Sequence, residues 1–376
     1  ALHIENLDHA KWRDRDLEPM TIPRPGHADL TAAVKYGYRE LRLSLERASA
    51  RETAMRVAVG AVCRALLREL GIELGGYVVG IGDLAVPPAA ATAPTAAEYR
   101  ARFAAAEASD VRCADPATAE RMRALIAEII RRRDTLGGVV ECVALGVPPG
   151  LGSHTHWDRR LSARLGQAVL SIHAVKGFEV GDGFAGCQRP GTQAQDEYEL
   201  VGDAITQPTN RAGGIEGGIS TGGPIVVRAA FKPIATTLTP LRSVDLASGA
   251  AAPTRYERSD FCQVPRAVPI VEAMVALGLA DALLEKLGGD SLDELRERLK
   301  QRREEMASIQ QKLDEAQKRN FKRWPILGEH VTCNHFVGDT YEEEIRWLKS
   351  WISSRVAWVD RQVGAGGGKG AESDGE

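Results

Sequence analysis

Apolar residues recur at Ala54, Val57, Ala58, Ala61, Val62, Ala65, Leu66 and Leu70, a spacing that predicts one apolar helical stripe. Ser49 and Glu52 stand three apart ahead of it. They read as a capping box, with serine on the third helical amide and glutamate reaching back to the N–H of the cap. Gly71 supplies the stop. Leu30–Glu46 reads as the preceding helix, and Ala117–Arg133, Leu161–Val175 and about Ala267–Lys286 as later ones, the last closed by Gly288 and Gly289. Gly76–Gly82, Gly137–Gly146 and Pro224–Phe231 read as strands. Residues 87–98, rich in Ala, Pro and Thr, read as a loop. Beyond 290 the composition changes. Residues 291–319 are charged and helix-forming, with Glu294 and Arg298 as an i,i+4 pair. A helix over 341–360 sets Ile345, Leu348, Trp351, Ile352, Trp358 and Val359 on one side, which suits core packing for the tryptophans. Gly364–Glu376 reads as a flexible tail.

The chain is 376 residues, enough for one large domain or two ordinary ones. With 44% hydrophobic and 26% charged residues it has a globular composition, and the net charge of −3 argues against nucleic acid or a polybasic membrane surface. No apolar run reads as membrane-spanning. The six cysteines (Cys63, Cys113, Cys142, Cys187, Cys262 and Cys333) form no C-x-x-C pair, so zinc-site spacing is absent and a reducing cytoplasm fits. A chain opening at Ala1 reads as a fragment or a processed product.

Two kinds of stretch suggest chemistry. The start of the 50–70 helix offers amides, the Ser49 hydroxyl and the guanidinium groups of Arg47 and Arg51, which together suit an anion such as phosphate. An ordinary capped helix with solvated arginines would look the same. Glycines cluster at 177–183, 210–218 and 222–223, where they either let a ligand approach backbone amides or make tight turns between strands.

The motifs carry a resemblance. Arg24-Pro-Gly-His-Ala-Asp29, Glu46-Arg-Ala-Ser-Ala-Arg-Glu-Thr53, Asp134-Thr-Leu-Gly-Gly138 and Ala174-Val-Lys-Gly177 with Gly181-Asp-Gly183 stand in the order found in chorismate synthases. So do Asn210-Arg-Ala-Gly-Gly214, Lys232-Pro-Ile234, Arg258-Ser-Asp260 and Gly288-Gly-Asp-Ser291. Residues 1–300 thus resemble that family. The resemblance implies an α+β fold in which layers of antiparallel sheet enclose long helices. It implies a cytoplasmic lyase, usually a homotetramer, of aromatic amino acid biosynthesis. Its reaction is the 1,4-elimination of phosphate from 5-enolpyruvylshikimate 3-phosphate to give chorismate, with reduced FMN and NADPH as a candidate reductant. By the same resemblance His27 and Asp260 are catalytic, and Arg24, Arg51 and Arg258 meet the substrate. Arg47, Ala48, Ser49, His173, Ala174, Gly217, Lys232, Pro233, Ile234, Ala235, Thr236 and Arg258 would line the flavin. No metal and no nucleic-acid or membrane partner is implied. Taken alone, His27 reads as a turn histidine and Asp260 as a helix cap.

The family's Gly-Glu-Ser-His-Gly motif and an arginine-rich segment have no counterpart here. Phe261 and Gln195 also depart from its pattern. These departures predict an N-terminally truncated chain, with an inactive truncated or chimeric remnant that binds flavin without turnover as the alternative. Residues 305–362, from Arg319-Asn-Phe-Lys-Arg-Trp-Pro-Ile-Leu-Gly328 to Trp358-Val-Asp360, resemble the closing segment of spore-coat H proteins, without that kinase-like family's catalytic core. The expected division is 1–300, a helical segment 301–362 and a tail 363–376.

Overall fold

The computed structural model describes residues 1–305 apart from 8, 88–92, 202–203 and 258, together with 322, 340, 343, 346–347 and 350. Residues 1–300 form one compact unit and 301–376 a second. The spore-coat-like reading, the tryptophan-bearing helix and the tail fall almost wholly outside the described residues.

A five-stranded antiparallel sheet centres the first unit. It contains β1 (Glu73–Ile81), β2 (Leu84–Ala85), β3 (Gly138–Leu145), β4 (Val175–Val180) and β9 (Ile225–Phe231), in the order β2-β1-β3-β9-β4. Three two-stranded hairpins lie outside it: β5 (Glu199–Val201) with β6 (Ala204–Thr206), β7 (Ile215–Glu216) with β8 (Ile219–Ser220), and β10 (Arg242–Val244) with β11 (Ala251–Pro253). The helices are α1 (Asp29–Tyr36), α2 (Arg42–Arg47), α3 (Thr53–Glu69), α4 (Ala96–Glu107), α5 (Pro116–Arg131), α6 (Leu161–Leu170), the short α7 (Gly183–Gly186) and α8 (Gly191–Ala194), and α9 (Val264–Leu287). Residues 292–305 are helical as well.

Strand alternation divides the chemistry between the two faces of the sheet. Val140, Cys142 and Ala144 of β3 and Ile225, Val227 and Ala229 of β9 share the main core with α9. The opposite face sets Tyr77, Val143, Leu145 and Val226 against Tyr99 and Phe103 of α4. That face also carries a polar row, because Tyr77, Glu141, Arg228 and Glu179 are directly opposite one another on successive strands. The Tyr77 hydroxyl donates to Glu141, and Arg228 bridges Glu141 (2.6 Å) and Glu179 (3.3 Å), so these half-buried charges are paired.

α9 buries fourteen of its residues, including Val268, Val271, Leu279 and Leu283. Each such aliphatic side chain contributes roughly 1.5–3 kcal/mol. The helix is long and apolar enough to cross a membrane by length and composition, contrary to the sequence expectation. Its buried faces instead meet α3, α6, β1 and β3 inside the core.

Several expectations are corrected. The helix expected over 30–46 is two helices, separated where Gly37 takes φ 70° and ends α1. The helix expected over 161–175 stops at Leu170, and Val175 already belongs to β4. Ser49 and Glu52 form no capping box. Ser49 opens a 3₁₀ turn and accepts from the Arg51 backbone and side chain, while Glu52 pairs with Arg56 at 2.8 Å. The true capping box is Thr95 with Glu98, at the start of α4, within the stretch read as loop. α3 is also rotated from its expected seating. Thr53, Gly60 and Leu67 face inward, whereas Ala54, Ala61, Val62 and Ala65 are exposed. Gly60 determines this, because a Cβ there would stand 2.3 Å from that of Ala273 on α9.

Candidate functional site

The turn from Pro23 to Asp29 is built around a fully buried carboxylate. Asp29 Oδ2 accepts from the Arg24 backbone N–H (3.0 Å) and from Arg24 Nε (2.8 Å). Asp29 Oδ1 accepts from Arg24 Nη2 (3.0 Å) and from His27 Nδ1 (2.6 Å). Burial pushes the Asp29 carboxyl up, but the His27 and Arg24 hydrogen bonds outweigh it and hold the group well below the usual carboxylate range. Gly26, with φ 76°, allows the tight turn that brings these side chains together.

The segment after β9 closes this turn from the other side. Arg24 Nη1 donates to Thr236 Oγ1 at 3.1 Å, so each guanidinium nitrogen has a partner. Lys232 Nζ donates to the Gly26 carbonyl, and a Cβ on Gly26 would touch Ala235 at 3.7 Å. Ile234 accepts from Thr135 Oγ1 (2.8 Å), and Pro233 runs beside Gly137. The close approach explains that glycine, since a Cβ on Gly137 would lie 2.2 Å from the Phe231 carbonyl oxygen. The Lys232 N–H donates to the Ala174 carbonyl (3.0 Å), and Ala174 holds φ 65°, uncommon for a residue with a side chain.

His173 links this corner to the start of α3. Its Nδ1 is buried, lies 3.6 Å from Glu52, and has no hydrogen-bond partner among the described residues. Burial lowers its pKa; Glu52 opposes this shift, while Arg56 and His27 reinforce it. On the same rim Arg51 pairs with Glu46 (2.5 Å) and Ser49 (3.1 Å). Arg47 is exposed and has no ion-pair partner among the described residues, and Ala48 and Ser49 are half-buried.

The structure therefore brings together Arg24, His27, His173, Ala174 and the run Lys232–Thr236, with Arg47, Ala48, Ser49 and Arg51 on the α3 rim. Asp260 is tied to the same neighbourhood through its segment, because Phe261 accepts from the Leu136 N–H (2.9 Å) and Gln263 donates to the Lys232 carbonyl (3.4 Å). Its carboxylate accepts from Arg266 at 2.7 Å, and the residue capping α9 is Gln263, which makes no side-chain cap bond, so the helix-cap reading of Asp260 is corrected. Gly217 is at the tip of the β7–β8 hairpin, beside Gly218, which contacts Arg160 and Leu161. Arg258 lies outside the described residues. Asp29 was not singled out from sequence, although it ends the Arg24–Asp29 motif two residues after the histidine.

The glycine segments are mostly structural. A Cβ on Gly181 would stand 2.0 Å from the Arg211 carbonyl oxygen, and Asp182 N donates to that oxygen at 2.7 Å. Asp196 ties the same loop by accepting from the amides of Arg211 and Ala212, both at 2.8 Å. A cleft of about 580 Å³ opens beside Asn210, Gly222 and Gly223.

A histidine held on a buried carboxylate, with exposed cations on an adjoining helix rim, is an arrangement that suits an anionic small molecule. Residues 1–284 match the family model for chorismate synthase. The chain is 49% identical to the chorismate synthase of Trichlorobacter lovleyi over 313 residues, 79% of this chain and 78% of that protein. It is 53% identical to that of Leifsonia xyli over 308 residues (78% and 75%) and 54% identical to that of Frankia alni over 282 (74% and 70%). A solved crystal structure of chorismate synthase superposes with a TM-score of 0.65 at 42% identity, covering 75% of this chain and 77% of that one. The chain belongs to the chorismate synthase family, and so to the lyases of aromatic amino acid biosynthesis.

Proposed function

We propose that this protein eliminates phosphate from 5-enolpyruvylshikimate 3-phosphate to give chorismate, and that it does so with reduced FMN. The observation that carries the reading is the meeting of Arg24–Asp29, His173–Ala174 and Lys232–Thr236 at one corner, in a chain about half identical to chorismate synthases. The same similarity disfavours a remnant without turnover. The residues suit a flavin phosphate. Arg47 is uncommitted among the described residues, and the buried Nδ1 of His173 lacks the hydrogen-bond partner that such an atom requires.

In this reading Arg47, Ala48, Ser49, His173, Ala174, Gly217 and Lys232–Thr236 hold the cofactor, with Arg258. Reduced FMN supplies transient electron donation with no net redox change, and NADPH is the candidate reductant. His27 exchanges a proton with the flavin–substrate pair, and Asp260 accepts one beside the flavin. Arg51 and Arg258 meet the substrate's phosphate and carboxylates. Arg24, whose guanidinium is turned inward, serves the substrate by holding the turn that carries His27. The five described cysteines are free thiols, which suits a cytoplasmic enzyme. The exposed apolar stripe of α3 suits burial in a homotetramer. We assign residues 305–362, related to spore-coat H by resemblance, no part in the chemistry.

Two measurements test this. Reduced FMN should bind saturably under anaerobic conditions, and phosphate release from the substrate should require both FMN and His27. A folded protein that neither binds FMN nor releases phosphate overturns the reading.

A further inference from the structure

Asp29 has no exposed surface, sits two residues from the proposed catalytic histidine, and receives four hydrogen bonds, three of them from one arginine. A structural ion pair would need only the arginine. The fourth bond, from His27 Nδ1 at 2.6 Å, is the shortest of the set. An ionised carboxylate can only accept, so the nitrogen facing it must carry a hydrogen. Arg24 Nη2, which can only donate, stands 3.1 Å from Nδ1 and 3.3 Å from Nε2, but an Nδ1 lone pair could not face the carboxylate oxygen at 2.6 Å, so Nδ1 carries the hydrogen and the guanidinium faces the Nε2 lone pair. In the neutral imidazole the lone pair is then on Nε2. The ring is 22% exposed at the edge of the turn, where a ligand can reach it.

We propose that Asp29 is a positioning residue that locks His27 as the Nδ1–H tautomer and leaves Nε2 as the atom that exchanges a proton with the bound reactants. Arg24 makes this possible. It keeps the carboxylate ionised although buried, and its Nε and Nη1 bonds, to Asp29 and Thr236, fix the plane in which the carboxylate lies. Thr236, more than two hundred residues along the chain, thereby helps to aim the histidine. The proposal rests on the reading of His27 given above, but it concerns a property of the free protein and can be tested without turnover.

The test is ¹⁵N NMR of the full chain labelled in its eight histidines, with the His27 signals assigned by their loss in His27→Gln. At a pH where the ring is neutral, wild type should show a protonated Nδ1 and an unprotonated Nε2. In Asp29→Asn the amide turns its oxygen to Arg24 and its NH₂ to the imidazole, and the tautomer reverses. Turnover should fall about 10²-fold with little change in KM, the scale of lost general acid–base catalysis, while Asp29→Glu should recover part of it. A wild-type His27 protonated on Nε2, or one unchanged in Asp29→Asn, overturns the proposal whatever the rates. If Asp29→Asn does not fold, the wild-type spectrum alone decides. If His27→Gln turns over normally, the role of His27 fails, while the tautomer result still judges Asp29.

Discussion

The two arginine-bearing parts of the site are built in opposite ways. At the Pro23–Asp29 turn Arg24 is 7% exposed and every guanidinium nitrogen is committed to the protein. On the rim of α3, Arg47 and Arg51 are exposed, and the Arg51 contacts are to partners that are themselves solvated or half-buried. The first region is pre-organised, so its geometry exists before anything binds. In the proposed function the second region would be organised by its ligand, because its charges lose little by exchanging water or a surface glutamate for a phosphate. On that proposal the same residue type supports the fold in one place and affinity in the other, and substitutions should separate the two.

The largest separation is expected at Arg24. Arg24→Ala leaves Asp29 as a buried carboxylate without its main counter-charge, a change that destabilises by about 3–5 kcal/mol. Urea denaturation at pH 7 measures it. Arg24→Lys should fall between the two, since an ammonium cannot reproduce the fork. A loss below about 1 kcal/mol for Arg24→Ala, the scale of a surface pair, would place Arg24 with the rim arginines and remove the contrast.

Acid should act on the same region. Asp29 is held below its ordinary value in the folded protein, so its stabilising contribution is complete above the unfolded carboxylate pKa of about 3.9 and is lost as pH falls toward the folded value. Denaturation free energies at several pH values should drop most steeply below about pH 4. The slope should be shallower in Arg24→Ala, where the folded carboxyl is no longer held down. Parallel slopes in the two proteins would show that other carboxylates dominate acid unfolding.

Much of the fold was readable before the structure, and the reasons for the gaps are specific. The α5 stripe, its Asp115 cap and Pro116 at its first turn are local signals, and its expected bounds were within two residues. The strands β3 and β9 read correctly because their β-branched, mostly apolar runs are interrupted only by Glu141 and Arg228, which pair with each other across the sheet. The seating of α3 was not readable, since what selects Gly60 for the interior is Ala273, 213 positions away. At Ser49 the capping box failed through competition, because Arg51 and Arg56 claim its two side chains. At Thr95 the box was present but masked by Ala-, Pro- and Thr-rich surroundings. The site was legible only through the family resemblance. No periodicity joins Arg24 to Thr236, and Asp29 matters through a contact that spacing does not show.

The rim should respond in the opposite sense to the corner. Arg47→Ala and Arg51→Ala should leave urea stability within about 0.5 kcal/mol of wild type, as surface substitutions do. Each should nevertheless weaken reduced FMN or substrate binding about tenfold, the effect of losing one charge-assisted hydrogen bond worth about 1.5–3 kcal/mol or slightly less on an exposed rim. Anaerobic titration measures the affinity. A destabilised Arg51→Ala would mean that its contacts to Glu46 and Ser49 hold the entry to α3. The rim would then be pre-organised as well.

The smallest expected effect lies at the join between the two regions. His173 has a buried Nδ1 without a partner and a pKa lowered first by burial, with Arg56 and His27 acting in the same direction and Glu52 against. A histidine held below its unfolded value of about 6.5 binds fewer protons folded than unfolded. Its contribution is therefore complete above about pH 6.5 and declines as pH falls toward the folded value. Wild type should lose stability gently over that interval, and His173→Gln should lose that component of the slope, a difference of about 0.5 kcal/mol or less. The other seven histidines titrate in both proteins, so comparing the slopes isolates this one. Saturating FMN should also suppress the difference, if the flavin phosphate supplies the missing partner and, as an anion, raises the folded value back toward the unfolded one. A slope that survives in His173→Gln would assign the titration elsewhere, and His173 would then belong with the solvated rim.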